Sequence, residues 1–249
     1  MAWLHIGFTS LAALLSACGQ VQSAPPDAAP PDAAPPDAAA ADASPMVDAL
    51  VVVDALALPT VLTFAVGGTT TVMGPAGASV TDACPTGQLL TGFSGTTGLL
   101  STSSTITVVG QLTGHCGVAH LGSQTTTGVA ITATAGVDLT TRGTVTTTPF
   151  SAALTCPSDQ FVVGIFGRAG NALDQLNIQC APLSLIASGA SWTGAVGEIT
   201  TKGPDGGGGG AAASGACPAT QVATSLHTLV LSTGVIEALS LSCSIVAGT

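Results

Sequence analysis

Large aromatic side chains are nearly absent from this sequence. It contains no tyrosine, and aromatic residues make up only 3% of its 249 residues. Because aromatic side chains dominate the energetics of most cores and interfaces, a domain built from this chain needs other stabilising features, such as disulfide bonds. The usual aromatic stacking surface for carbohydrate is equally thin.

Positive charge is scarce as well. Three Lys and Arg residues stand against 13 Asp and Glu, which gives a formal net charge of −10. Six of the acids lie before residue 58; beyond it, seven acids accompany Arg142, Arg168 and Lys202. Nucleic-acid binding needs a basic patch, so nucleic acid is excluded as a partner.

Motifs of the common hydrolases and nucleotide-binding enzymes are missing too. The sequence has no Gly-x-Ser-x-Gly, no His-Glu-x-x-His and no Walker loop. We therefore predict no catalytic residue, no cofactor and no enzymatic activity. Since a catalytic site can be assembled from distant residues, a carbohydrate-active enzyme with Asp174 and Glu237 as paired carboxylates stays an alternative.

A metal site is suggested only by His115, Cys116 and His120, which are close in sequence. No second cluster of cysteines or carboxylates completes a coordination set, and Cys116 is better explained by a disulfide. We predict that no metal is bound.

The N-terminal segment indicates where the protein is located. Residues 1–17 contain a short apolar core typical of a secretory signal peptide. The following segment, Leu15-Ser16-Ala17-Cys18, resembles the bacterial lipobox. That resemblance implies acylation of Cys18 and membrane anchoring through lipid, and Gly19 favours the outer membrane and cell surface. An ordinary cleaved signal peptide with a chance cysteine is the alternative.

Residues 18–58 have the composition of a tether. The motif Pro-Pro-Asp-Ala-Ala occurs three times from Pro25 onward, and paired prolines favour an extended chain. At about 3.1 Å per residue, the roughly twenty residues of the Pro-rich repeat would reach about 60 Å. Residues 46–58 are either its acidic continuation or an apolar strand that docks onto the domain.

Residues 59–249 form a single domain with the composition of an all-β fold, rich in Thr, Val, Ile, Leu and Gly. The segment Cys-Pro-x-x-Gln occurs three times, at Cys84, Cys156 and Cys217, and marks a three-fold repeat. Alternation predicts that the first and fifth residues after each glutamine share one strand face. These pairs are Leu89 with Phe93, Phe161 with Ile165, and Val222 with Leu226.

Each copy closes with a second strand that ends in cysteine. In the middle copy, alternation places Leu176, Ile178 and Cys180 on one face, and the third copy repeats the pattern. Both cysteines of a copy face inward, which favours disulfides within copies, although six cysteines allow fifteen connectivities. An oxidising compartment supports these bonds. They are Cys84–Cys116, Cys156–Cys180 and Cys217–Cys243.

The middle copy, from Cys156 to Cys180, contains Gly167-Arg168-Ala-Gly170 and Asp174-Gln-Leu-Asn-Ile-Gln-Cys180. It resembles the repeat of vitelline-membrane-outer-layer proteins and, more distantly, that of jacalin-type lectins. The resemblance implies a three-fold β-prism of three four-stranded repeats. A β-solenoid or another Thr/Gly-rich β domain is the alternative.

Three residues are candidates for ligand binding. Asp174 and Arg168 lie near glycine-rich turns and could hydrogen-bond sugar hydroxyls, or they could be a structural ion pair or turn cap. Trp192 could stack on a sugar or fill the core. We predict a non-catalytic module that binds glycan or a cell-surface polymer; a structural or adhesive envelope protein without a small ligand is the alternative.

Overall fold

The computed structural model describes residues 56–151 and 153–249. Every regular element in this part of the chain is a β-strand, and the strands join into one 15-stranded antiparallel sheet. The all-β class predicted from composition is therefore confirmed. Cys18, the Pro-rich repeat and most of residues 46–58 lie outside the described residues.

The sheet is built from strands that range from two-residue segments to long, bent ribbons. In chain order they are β1 (Leu62–Thr69), β2 (Val80–Ala83), β3 (Gln88–Leu99), β4 (Thr107–Gln124), β5 (Val129–Asp138), β6 (Arg142–Gly143), β7 (Thr148–Pro149), β8 (Leu154–Thr155), β9 (Gln160–Ala169), β10 (Leu173–Ser188), β11 (Ser191–Val196), β12 (Thr200–Gly206), β13 (Ala211–Ala216), β14 (Gln221–Val230) and β15 (Ile236–Gly248). Within the described ranges no helix has the length and apolar character needed to cross a membrane.

The three Cys-Pro copies form the three long hairpins, β3–β4, β9–β10 and β14–β15. Each copy enters its first strand through a turn in which the glutamine N–H donates to the proline C=O, at 2.9 to 3.1 Å. The residue before the glutamine has a positive φ, as such turns require. These residues are Gly87, Asp159 and Thr220.

Thr220 is the least suited of the three to this conformation. Its φ is 66°, and a β-branched side chain at positive φ is strained. Because its side chain is exposed, we expect Thr220→Gly to raise the free energy of unfolding by about 1 kcal/mol. Gly87→Thr is the matched reverse change, since a Cβ at Gly87 meets no atom within 4 Å. Urea unfolding of both variants checks this, and a destabilised Thr220→Gly would contradict it.

The glutamine shared by the copies joins each hairpin to its outer strand. Its side-chain Oε1 accepts a hydrogen bond from that strand at 2.7 to 3.1 Å in all three copies. The pairs are Gln88 with Val137 N–H on β5, Gln160 with the Thr200 hydroxyl on β12, and Gln221 with Gly68 N–H on β1. An architectural role therefore accounts for this repeated residue.

The predicted pairing of faces within the first strands is wrong in all three copies. Leu89 belongs to one buried cluster and Phe93 to another. A register shift at the third residue after each glutamine causes the error, because a β-bulge adds one residue and reverses the alternation beyond it. The bulged residues are Thr91, Val163 and Thr224. In the second strands, Leu176, Ile178 and Cys180 share one cluster, as predicted.

Each bulge also binds a different copy. The C=O of Thr91, in the first copy, accepts a hydrogen bond from Cys156 N–H of the second copy at 2.8 Å. Val163 C=O accepts from Cys217 N–H, and Thr224 C=O accepts from Cys84 N–H, both at 2.9 Å. The three copies are thus linked in a closed cycle.

The outer strands follow the same cycle. The strand that leads into each copy pairs with the hairpin of another: β8 with β3, β13 with β9, and β2 with β14. On the other side, β4 is flanked by β5 and β6, and β10 by β11 and β12. In the third copy, β15 is flanked by β1, from the beginning of the domain. The first and last strands of the domain thereby meet.

The copies share their core layer by layer. The residue after each glutamine is buried in the cluster nearest the Cys-Pro turns, which we call the base cluster: Leu89, Phe161 and Val222. The residue four before each second cysteine is fully buried in a central cluster: Leu112, Leu176 and Leu239. The residue eight before it is buried where the hairpin turns meet, in the tip cluster: Val108, Ala172 and Val235.

The three predicted disulfides are confirmed. Each joins the two cysteines of one copy, with Cα atoms 5.5 to 5.8 Å apart. Since each first cysteine also donates its N–H to the bulge of another copy, each disulfide lies at a junction between copies. The bonds therefore support the cycle as well as the hairpins.

Candidate functional site

The three hairpin turns meet at one end of the domain, the tip end, around the tip cluster. They differ in length from one copy to another. The first spans residues 100–106, the second 170–172 and the third 231–235. Because the copies differ at these turns, the tip end is the place to look for a function that the copies do not share.

Arg168 and Asp174, predicted as a ligand-binding pair, lie together at the second turn beneath a glycine loop, residues 206–210. Arg168 donates from Nε to Gly209 C=O at 2.7 Å and from Nη2 to Gly210 C=O at 2.6 Å. Asp174 is only 5% exposed, and a Cβ at Gly209 or Gly210 would collide with its carboxylate. In this arrangement the pair holds the glycine loop against the hairpin; a role in binding stays a prediction.

Burial raises the pKa of the Asp174 carboxyl above its ordinary value of 3.8, while Arg168 and the Gly170 N–H act in the opposite direction. A raised pKa favours the protonated carboxyl in the folded state. Its contribution to stability is therefore greatest below pH 3.8 and is lost as the pH rises through the folded-state pKa. We expect the free energy of unfolding of the wild type, relative to that of Asp174→Asn, to decrease as the pH is raised from 3, as measured by urea unfolding. An increase would contradict this.

Trp192 lies far from that pair. It is 8% exposed within the base cluster, and its Nε1 donates to Ala57 C=O at 2.8 Å. Trp192 pairs with Ala187, near the end of the strand whose beginning holds Asp174. Its environment is that of a core residue.

Residues before β1 contact the same end of the domain. Leu56, which the sequence placed in the linker, packs against the base cluster, and Ala57 accepts the Trp192 hydrogen bond. The chain therefore enters the domain at the base, opposite the tip end.

The residues considered for a metal site have other partners. Cys116 is bonded to Cys84, His115 Nδ1 lies 2.6 Å from an Asp138 oxygen, and His120 Nε2 lies 2.9 Å from the Thr134 hydroxyl. In residues 56–151 and 153–249, no three His, Cys, Asp or Glu side chains are grouped so that they could hold a metal ion.

A cleft of about 430 Å³ opens at the tip end, and we call it the tip cleft. Its walls come from the first hairpin, the segment between β6 and β7, and the third turn. The lining residues are Leu99, Leu100, Ser101, Thr102, Val145, Thr147 and Thr233. Sequence reasoning missed this site because its walls come from three separate segments. The signal available was the apolar pair Leu99-Leu100 at the longest turn.

Neither a protein-family model nor a curated protein matches this chain. The similarity of the middle copy to vitelline-membrane-outer-layer and jacalin-type repeats therefore stays a prediction from its motif, as does the lipobox at Cys18.

Proposed function

We propose that this protein is a lipoprotein that is anchored through Cys18 and displayed at the cell surface. Its domain is a non-catalytic β-prism that binds glycan or a cell-surface polymer. The observation that carries the proposal is the position of the tip cleft, opposite the base at which the chain enters the domain. Because residues 56 and 57 contact the base, the point at which the tether joins the domain lies away from the cleft.

The three-fold prism is supported by the cycle of pairings. Each hairpin with its outer strands makes one group: β2, β14, β15 and β1 form the third of these. Equivalent residues from the three copies meet in the same buried cluster at the base, the centre and the tip. We propose that these three groups of strands are the walls of a prism around the shared core.

The chemistry of the tip cleft supports a carbohydrate ligand. The hydroxyl-bearing residues Ser101, Thr102, Thr147 and Thr233 line it beside aliphatic residues. A sugar ring offers hydroxyls along its edge and C–H groups on its faces, so both kinds of lining find partners. The volume of about 430 Å³ lies within the range of small-molecule sites.

A structural or adhesive envelope protein is the second candidate. The observation that favours it is that Arg168 donates hydrogen bonds to the glycine loop and that Asp174 is buried beside it. Both side chains thus have structural contacts. Under this alternative the tip end has no small ligand.

A glycan array probed with the full-length protein, in detergent and with disulfides intact, separates the two. We expect binding to a defined set of glycans, and competition by the same glycans free in solution. Absence of binding on the array and in calorimetry with extracted surface polysaccharide would overturn the binding function.

Intact mass of the protein from membranes tests the anchor. We expect the mass to show loss of residues 1–17 and added acyl groups on Cys18, and expect a Cys18→Ser variant to lack them. An unacylated native protein would contradict the lipid anchor and leave the binding proposal standing.

A further inference from the structure

The residues of the tip cleft that the structure describes make an unusual lining for a sugar site, because none of them is charged or aromatic. Three of its residues are aliphatic: Leu99, Leu100 and Val145. The other four are hydroxyl-bearing: Ser101, Thr102, Thr147 and Thr233. Recognition must therefore rest on neutral hydrogen bonds and on contacts with aliphatic groups.

The aliphatic side is partly open to solvent. Leu99 is 43% exposed on the rim, and Val145 and Leu100 pack onto the tip cluster beneath it. Exposed aliphatic surface gains free energy when an apolar group of a ligand covers it. Most hexoses carry a hydroxymethyl group where a 6-deoxyhexose carries a methyl group, so the latter suits this surface better.

The charge of the domain disfavours an acidic sugar. Seven acids accompany three cations from residue 58 onward. Two of the cations are engaged elsewhere: Arg142 with Asp82, and Arg168 with the glycine loop. A carboxylate or sulfate group in the tip cleft would be desolvated without an opposite charge in the lining.

We infer that the tip cleft selects a neutral sugar that carries a methyl group, such as a 6-deoxyhexose or an N-acetylhexosamine. The methyl group packs against Leu99, Leu100 and Val145, while the threonine and serine hydroxyls bind the sugar hydroxyls. This inference rests on the proposed glycan-binding function and adds the class of sugar.

Matched sugars provide the test. The pairs are L-fucose with L-galactose, L-rhamnose with L-mannose, and N-acetylglucosamine with N-formylglucosamine; glucuronic acid is the acidic probe. Burial of one methyl group corresponds to about a fourfold difference in affinity. For at least one pair we expect the full-length protein to bind the methyl-bearing sugar about fourfold more tightly, with glucuronic acid not bound. In saturation-transfer NMR the methyl protons should receive the most saturation.

The chain offers a matched control variant. Leu99 and Ile106 are exposed to nearly the same extent, 43% and 45%, on the same hairpin, but only Leu99 lines the cleft. We expect Leu99→Ser to abolish the methyl preference and Ile106→Ser to retain it. Unfolding curves of both variants establish that each is folded.

The outcomes are distinguishable. Glycan binding without a methyl preference, or a preference unchanged in Leu99→Ser, would overturn the inference and leave the proposed function in place. Tight binding of glucuronic acid would overturn it as well. If no sugar binds in this panel or on the array, the proposed function fails and the inference fails with it.

Discussion

Replacing Cys156 and Cys180 together by alanine is expected to lower the free energy of unfolding by about 3 kcal/mol. The disulfide closes a loop with a sequence separation of 24, so its loss restores conformational entropy to the unfolded chain. Both cysteines are also buried in the central cluster, where alanine packs less completely. For a domain of this size the melting temperature should fall by about 6–12 °C.

The structure adds a second reason for a large effect. Cys156 donates its N–H to Thr91 C=O, so the disulfide holds the second copy at the bulge of the first. We expect the pairs at Cys84 and Cys217 to give losses of similar size, because they occupy equivalent junctions.

Wild-type protein treated with a thiol reductant is the control for the substitutions. Its urea midpoint should fall below that of the oxidised protein and also below those of the three double variants, since it lacks all three bonds. A Cys156/Cys180 double variant with the unfolding midpoint of oxidised wild type would contradict the role assigned to the bond.

Arg142→Met is expected to lower the free energy of unfolding by about 3 kcal/mol. Arg142 on β6 donates from Nε and Nη2 to the two carboxylate oxygens of Asp82 on β2, both at 2.7 Å. The Asp82 side chain is only 8% exposed. Removal of Arg142 leaves the buried Asp82 carboxylate without an opposite charge. The unpaired buried charge, more than the lost attraction between the two side chains, accounts for the loss of stability.

A double-mutant cycle measures this effect. Asp82→Asn combined with Arg142→Met removes the buried charge, and we expect it to recover a large part of the loss. His115–Asp138 is a matched exposed pair, with Asp138 70% exposed; Asp138→Asn should change stability by less than about 1 kcal/mol. If Arg142→Met is no more destabilising than Asp138→Asn, the expected cost of leaving Asp82 buried and unpaired is contradicted.

The features that the three copies share could be predicted from the sequence. Strand composition, the three Cys-Pro segments and the inward cysteines led to an all-β fold with a three-fold repeat and three disulfides within copies. Alternation placed Leu176, Ile178 and Cys180 correctly, because the extra residues of the register shifts beside them lie on the partner strands β9 and β12. Local periodicity is reliable where the strand itself carries no inserted residue.

Features that depend on distant segments were not predicted. The bulges at Thr91, Val163 and Thr224 cannot be recognised from the alternation of apolar and polar residues, so the predicted strand faces were wrong beyond them. The pairing of β8 with β3 depends on contacts between copies. At the candidate site, proximity of Arg168 and Asp174 was expected from the sequence, but their cover by the glycine loop was not. The tip cleft combines Leu99, Val145 and Thr233, which are far apart in the chain.

The closed cycle of hydrogen bonds between the copies joins them into one domain, and it can be measured directly. NMR scalar couplings across hydrogen bonds detect a pair only when the donor and acceptor are bonded. We predict such couplings from the amide nitrogens of Cys84, Cys156 and Cys217 to the carbonyl carbons of Thr224, Thr91 and Val163, respectively. The three amide protons should also be among the slowest in the domain to exchange with solvent. Fast exchange at any of them, or a coupling to a residue of the same copy, would contradict the cycle.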